Sequence, residues 1–116
     1  MITGAHTIIY SADAAADRAL LRELLPDGRA VDAGGGWTII GLPPGEVAVH
    51  PTDGAPQHEL YLMCDDVEAT VADLTSRGVV FEGGITDQGW GLLTTIRLPG
   101  DGSLGLYQPR HPVAAG

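Results

Sequence analysis

The chain has 116 residues, 44% hydrophobic and 18% charged, enough to bury one core and too short for two ordinary domains. Six basic residues, all arginine, against fifteen acidic ones give a formal net charge of -9, which argues against nucleic acid or an anionic membrane as partner. No apolar run approaches the roughly 18 residues of a membrane span, and Met1 to His6 lack the charged segment of an export signal, so the expected location is cytoplasmic. Cys64 is the only cysteine; it forbids an internal disulfide and reads as a small buried hydrophobe at a strand end.

Ala5 to Ser11 is rich in β-formers and alternates His6, Ile8 and Tyr10 with Ala5, Thr7 and Ile9, as a strand covered on both sides would. Asp13 caps a helix whose buried stripe is Ala16, Leu20, Leu21, Leu24 and Leu25, and Pro26-Asp27-Gly28 stops it. Ala30 to Asp32 is a short extended piece. Ala33-Gly34-Gly35-Gly36 lacks the lysine and strand-to-helix context of a phosphate loop, so it reads as a turn before the strand Trp37 to Leu42. After Pro43-Pro44-Gly45 the run Glu46 to His50 is again strand-like, and Pro51 to Pro56 is a turn-rich link.

The order then restarts. His58 to Cys64 is a strand, Asp65 or Asp66 caps a helix with Val67, Val71 and Leu74 inward, and Gly78 ends it. Val79 to Phe81 is extended, Gly83 and Gly84 interrupt, Leu92 to Leu98 is a long strand, Pro99-Gly100-Asp101-Gly102 turns the chain, and Ser103 to Tyr107 is the last strand. Each half reads as strand, helix, strand, strand, strand. The duplication predicts an α+β fold of one domain, residues 1–116, built from two tandem βαβββ modules, about 1–53 and about 57–110. One helix covers one face of each module's sheet, so two modules side by side form a curved mixed sheet with a concave cleft.

These two halves, the segment Asp87-Gln88-Gly89-Trp90-Gly91 before a long strand and the Pro99 to Gly102 turn before the last one resemble the vicinal oxygen chelate superfamily of glyoxalase I, bleomycin-resistance proteins and extradiol dioxygenases. The resemblance covers nearly the whole chain. It implies a homodimer and a divalent metal held on the concave face by the first and last strand of each half. The family's first ligand, seven residues before the acid that opens the helix, falls on His6 in the first half and Glu59 in the second; the last-strand positions fall on Val49 and Leu106, which bind no metal. Two donors are fewer than an open catalytic zinc site uses, which favours a cleft without a metal over one with a divalent ion.

The expected function is therefore small-molecule binding of the bleomycin-resistance kind at a degenerate metal site. The alternative is a lyase, isomerase or dioxygenase of the superfamily, with His6 and Glu59 as metal ligands or as a metal-free proton-transfer pair. Tyr10, Tyr61 and Met63 share faces with His6 and Glu59 and are pocket candidates, with Trp90 as either a cleft wall or a loop anchor. Alternation from Leu106 places Tyr107 on the helix side. Arg97 is expected to pair with a surface acid, His50 and His58 to be solvated, and His111 to be a tail residue.

Overall fold

An aspartate opens each of the two helices. In the computed structural model, which describes residues 6–32, 38–46, 48–51 and 53–114, α1 (Ala14–Leu24) starts where Asp13 Oδ1 accepts from the Ala16 amide at 3.2 Å, and α2 (Val67–Ser76) where Asp66 Oδ1 accepts from Ala69 at 3.1 Å. Each carboxylate satisfies an amide that has no partner within its helix. At its other end α2 closes on Gly78 at φ 91°, with the Gly78 amide donating to Thr75 O and that of Val79 to Leu74 O, both at 3.0 Å. This paired closure needs a left-handed residue, which glycine adopts without a Cβ clash, and it brings Val79 into the core beside Leu74.

Between and after the helices run β1 (Ala30–Asp32), β2 (Thr38–Ile40), β3 (Tyr61–Met63), β4 (Phe81–Asp87), β5 (Gly91–Arg97) and β6 (Ser103–Pro109). β1 and β2 form an antiparallel hairpin, while the other four make a mixed sheet in the order β3-β6-β5-β4, with β3 parallel to β6. The second half is thus a complete βαβββ module, and the α+β class with a mixed sheet is as the sequence predicts. β4 runs straight through Gly83 and Gly84, where a register shift between Glu82 and Thr86 absorbs them as a bulge, with Gly83 at φ 70°.

The first half departs from the expected pattern. Residues 6–11 belong to no strand, and neither do Glu46, Ala48, Val49 or His50; β3 is also shorter than the run His58 to Cys64. β-propensity expresses how well a side chain fits a pleated, half-buried surface, and these segments have no ladder partner among the described residues to supply one: Ile8 is 61% exposed, Tyr10 88% and Val49 93%. The Gly-rich stretch and Trp37 lie outside the described residues.

The core sits on one side of the four-stranded sheet. Val67, Leu74, Val79, Ile96, Leu98, Leu104 and Leu106 are buried together, and Leu20, Leu21 and Leu24 of α1 pack on the same cluster. Full burial of such side chains contributes about 1.5–3 kcal/mol each before entropy is subtracted. α1 is further fixed to the turn before β6: the Ala12 amide donates to Gly100 O at 3.1 Å, and the Gly100 amide donates to buried Asp17 Oδ1 at 2.8 Å. No helix among the described residues is long and apolar enough to cross a membrane.

Candidate functional site

Because the helices cover one face, the other face of the sheet is where side chains remain available to a ligand. The register identifies it: Tyr61 lies opposite Gly105 and Met63 opposite Tyr107 across β3 and β6, and Leu93 and Thr95 of β5 stand opposite Tyr107 and Gly105. Leu62, Leu104 and Leu106 alternate to the helix side. Tyr107 therefore lies on the side of the sheet away from the helices, buried there at 8% exposure beneath its neighbours, and Leu106 lies in the core, the reverse of the expected arrangement. The physical reason is the period of two: a family spacing transferred one residue out of step exchanges the faces of a whole strand.

Three rings gather on this face. Tyr107 lies 5.1 Å from Trp90 and 5.8 Å from Tyr61 between centroids, Tyr61 lies 6.2 Å from Trp90, and the interplanar angles of 74° to 85° are edge-to-face. Two glycines make this possible. A Cβ on Gly105 would fall inside the Tyr61 ring, and one on Gly91 would come within 2.9 Å of Tyr107 Cδ2. Trp90 is carried by a turn with clamped ends: Asp87 Oδ1 accepts from the Gly89 amide at 2.9 Å, its Oδ2 accepts from Arg110 Nη1 at 2.6 Å, and the Arg110 amide donates to Trp90 O at 2.9 Å. The Gly89 amide and then Arg110 hold the Asp87 carboxyl below the usual carboxylate range.

Each phenol ends at a polar partner. Tyr61 donates to Glu59 Oε2 at 2.6 Å, and that hydrogen bond, with burial and the carboxylate's charge, pushes the Tyr61 pKa up to about 12. The hydroxyl of Tyr107 stands 3.2 Å from His111 Nε2, while His111 Nδ1 is 2.8 Å from Pro112 O. A carbonyl only accepts, so Nδ1 carries a proton, and in the neutral imidazole Nε2 then accepts from Tyr107. Glu46 approaches the same imidazole, with Oε1 3.9 Å from Nε2, and its Oε2 accepts from the Ala114 amide at 2.7 Å, so the tail folds back beside the rings. Burial, and then the charge of Glu46, raise the Tyr107 pKa. Glu59→Gln keeps an acceptor for Tyr61 but removes the charge; the 295 nm tyrosinate transition is expected to move to lower pH, and an unmoved titration would contradict the Tyr61–Glu59 coupling.

Of the residues singled out from sequence, Tyr61 and Trp90 meet, Met63 shares their face, and Tyr10 lies apart from the ring cluster and almost wholly exposed. His6 is exposed, and Glu59 is engaged by Tyr61. The set does not fit a metal: Leu106 is in the core, Val49 is aliphatic and exposed, and among the described residues no three His, Cys, Asp or Glu side chains converge to hold an ion. Tyr107, His111 and Glu46 were not candidates. The register of β6 is the only sequence signal for Tyr107, and nothing in the local sequence of His111 reveals that the tail returns. Cys64 is part-buried with Sγ 3.6 Å from Tyr107 O, and burial raises its pKa, so it is a packing thiol. Arg97 pairs with Glu82 at 3.7 Å on the surface, as expected.

Two hollows of about 330 and 460 Å³ lie elsewhere, one beside Leu20, Val79 and Arg97, the other between the end of α1 and the hairpin at Leu25, Gly28 and Leu42. Each is open and also lined by an arginine and an aspartate, Arg97 and Asp101 in one and Arg29 and Asp27 in the other, but neither brings aromatic rings together as the ring cluster does.

No protein-family model matches the sequence, and no curated protein matches it. Solved structures do. An integron cassette protein from the mobile metagenome of V. cholerae superposes with a TM-score of 0.58 at 14% identity, covering 93% of this chain and 98% of the other. TnmS3, an antibiotic binding protein from Streptomyces sp. CB03234, gives 0.58 at 21% identity over 94% and 98%. The virulence protein STM3117 from Salmonella typhimurium gives 0.56 at 18% identity over 94% and 99%. This chain shares their fold over nearly its whole length.

Proposed function

We propose that this chain is a small-molecule-binding protein of the bleomycin-resistance kind, taking an apolar or aromatic ligand on the open face of its sheet without a metal centre. The observation that carries the reading is the gathering of Tyr61, Trp90 and Tyr107 over two glycines, where buried Tyr107 backs half-buried Tyr61 and exposed Trp90, rigid amphipathic rings that offer contact area at small entropic cost. Its fold is that of an antibiotic binding protein, which supports the class of function. Trp90→Ala is expected to weaken binding of a flat neutral probe such as quinoline roughly tenfold, since loss of ring contact and its buried area is worth about 1–1.5 kcal/mol. Unchanged affinity would remove the cluster from the reading. Metal analysis of the purified protein tests the other half: a stoichiometric ion lost on both His6→Ala and Glu59→Ala would overturn it.

The protein works as a homodimer on this reading, because Ile8, Tyr10 and Val49 expose apolar surface that a second copy would cover. Light scattering should give twice the 12.0 kDa chain mass. A second reading, a metal-free lyase or isomerase, draws on one contact, the Tyr107 hydroxyl on His111, which is a phenol with a proton acceptor at hand. The His6–Glu59 pair has no such support, since Glu59 is held by Tyr61.

A further inference from the structure

We propose that the molecule taken by the Tyr61 and Trp90 surface, backed by Tyr107, is an aromatic cation, its positive charge drawn to the carboxylates of Glu59 and Glu46. The inference rests on the binding reading above and adds the sign of the ligand's charge.

Its first support is position. A carboxylate stands beside each tyrosine's hydroxyl end, directly or one group away: Tyr61 donates to Glu59, and Tyr107 meets His111, whose Nε2 is 3.9 Å from Glu46. The rings are thus bordered by negative charge at two places. The second support is the state of the basic groups. Arg110 is bound to Asp87 and Arg97 to Glu82, and the His111 imidazole is engaged between the Tyr107 hydroxyl and Pro112 O. An anionic ligand would meet the two carboxylates with no uncommitted cation among these groups to offset them. A neutral ligand would gain ring contact only.

The rings themselves point the same way. Their faces carry the negative side of the aromatic quadrupole, and tryptophan attracts a cation most strongly; Trp90 is 38% exposed at the edge of the cluster. Over longer distances the net charge of -9 draws cations to the surface and repels anions.

The test uses three flat probes of similar size: N-methylquinolinium as the cation, quinoline as the neutral form at pH 7.5, and naphthalene-2-sulfonate as the anion. Binding is read from Trp90 emission in a Trp37→Phe background, where it is the only indole, and by isothermal titration of the unsubstituted chain in case that variant does not fold. N-methylquinolinium is expected to bind about fivefold more tightly than quinoline at low salt, with the sulfonate weakest. Glu59→Gln and Glu46→Gln should each lower the cation-to-neutral ratio by about half or more, whereas Glu68→Gln, the same charge change on α2, should leave it in place. Equal affinity for cation and neutral probe overturns the charge inference and leaves the binding reading standing. A ratio that falls as much in Glu68→Gln as in Glu59→Gln means diffuse attraction and also overturns it. Absence of binding by all three probes overturns both.

Discussion

Gly100→Ala is expected to destabilise the protein by about 3 kcal/mol and to lower Tm by roughly 12 °C. A Cβ at this position would collide with Ser11 Oγ and lie 2.8 Å from Asp17 Oδ2 and 3.0 Å from the Asp13 amide. Ser11 is able to turn aside, giving up the hydrogen bond from the Asp13 amide. The other two neighbours have no such freedom: Asp17 is 4% exposed and held through Oδ1, and Asp13 N is backbone at the helix cap. Relief therefore requires the start of α1 to lift, which loses both hydrogen bonds to Gly100 and leaves the Asp17 carboxylate buried without them. Gly102→Ala, two residues on, is the control. Its nearest contact would be Leu98 Cδ1 at 3.5 Å, ordinary van der Waals distance, so a change within about 0.5 kcal/mol is expected. Equal effects of the two substitutions by thermal denaturation would refute this account of how α1 is docked.

The second large effect is expected at Gly105, where stability and binding change together. Alanine there places a methyl group inside the Tyr61 ring, so the ring must leave the sheet, breaking its hydrogen bond to Glu59 and its edge contacts with Tyr107 and Trp90. The expected loss is about 2–3 kcal/mol, with the near-UV dichroism of the rings and aromatic-probe binding lost alongside. A double-mutant cycle isolates the cause. Once Tyr61→Ala has removed the ring, Gly105→Ala should cost less than about 0.5 kcal/mol, because alanine in a strand is no worse than glycine when nothing stands above it. Full cost in the Tyr61→Ala background would show that the backbone of β6, and not the ring, requires glycine.

Both positions illustrate what the sequence made legible and what it did not. The helix starts at Asp13 and Asp66, the stop at Gly78 and the long strand before the Pro99 to Gly102 turn were readable because each is written in local chemistry: a capping oxygen, a left-handed residue, a β-branched run. The strands expected at Ala5 to Ser11 and Glu46 to His50 carry the same local signal but depend on a partner strand that the described structure does not provide. Tyr61 and Trp90 were found among the candidate site residues from strand alternation and from their rarity in a chain with so few aromatics. Tyr107 was placed on the wrong face because its side follows from the register of β6 against β5 and β3, a long-range property. His111 and Glu46 are 65 positions apart (111 minus 46) and meet only because the tail folds back, which no spacing rule encodes.

The bulge in β4 bears on how the molecule behaves when crowded. β4 is an outer strand, and a regular outer strand presents a row of amides and carbonyls onto which another chain can crystallise a fibril. Here the row is broken between Glu82 and Thr86, and Gly83 in the left-handed region twists the backbone away from the straight geometry that cross-β stacking needs. The two glycines that hid this strand from a reading of the sequence thus give its edge built-in resistance to amyloid-like growth.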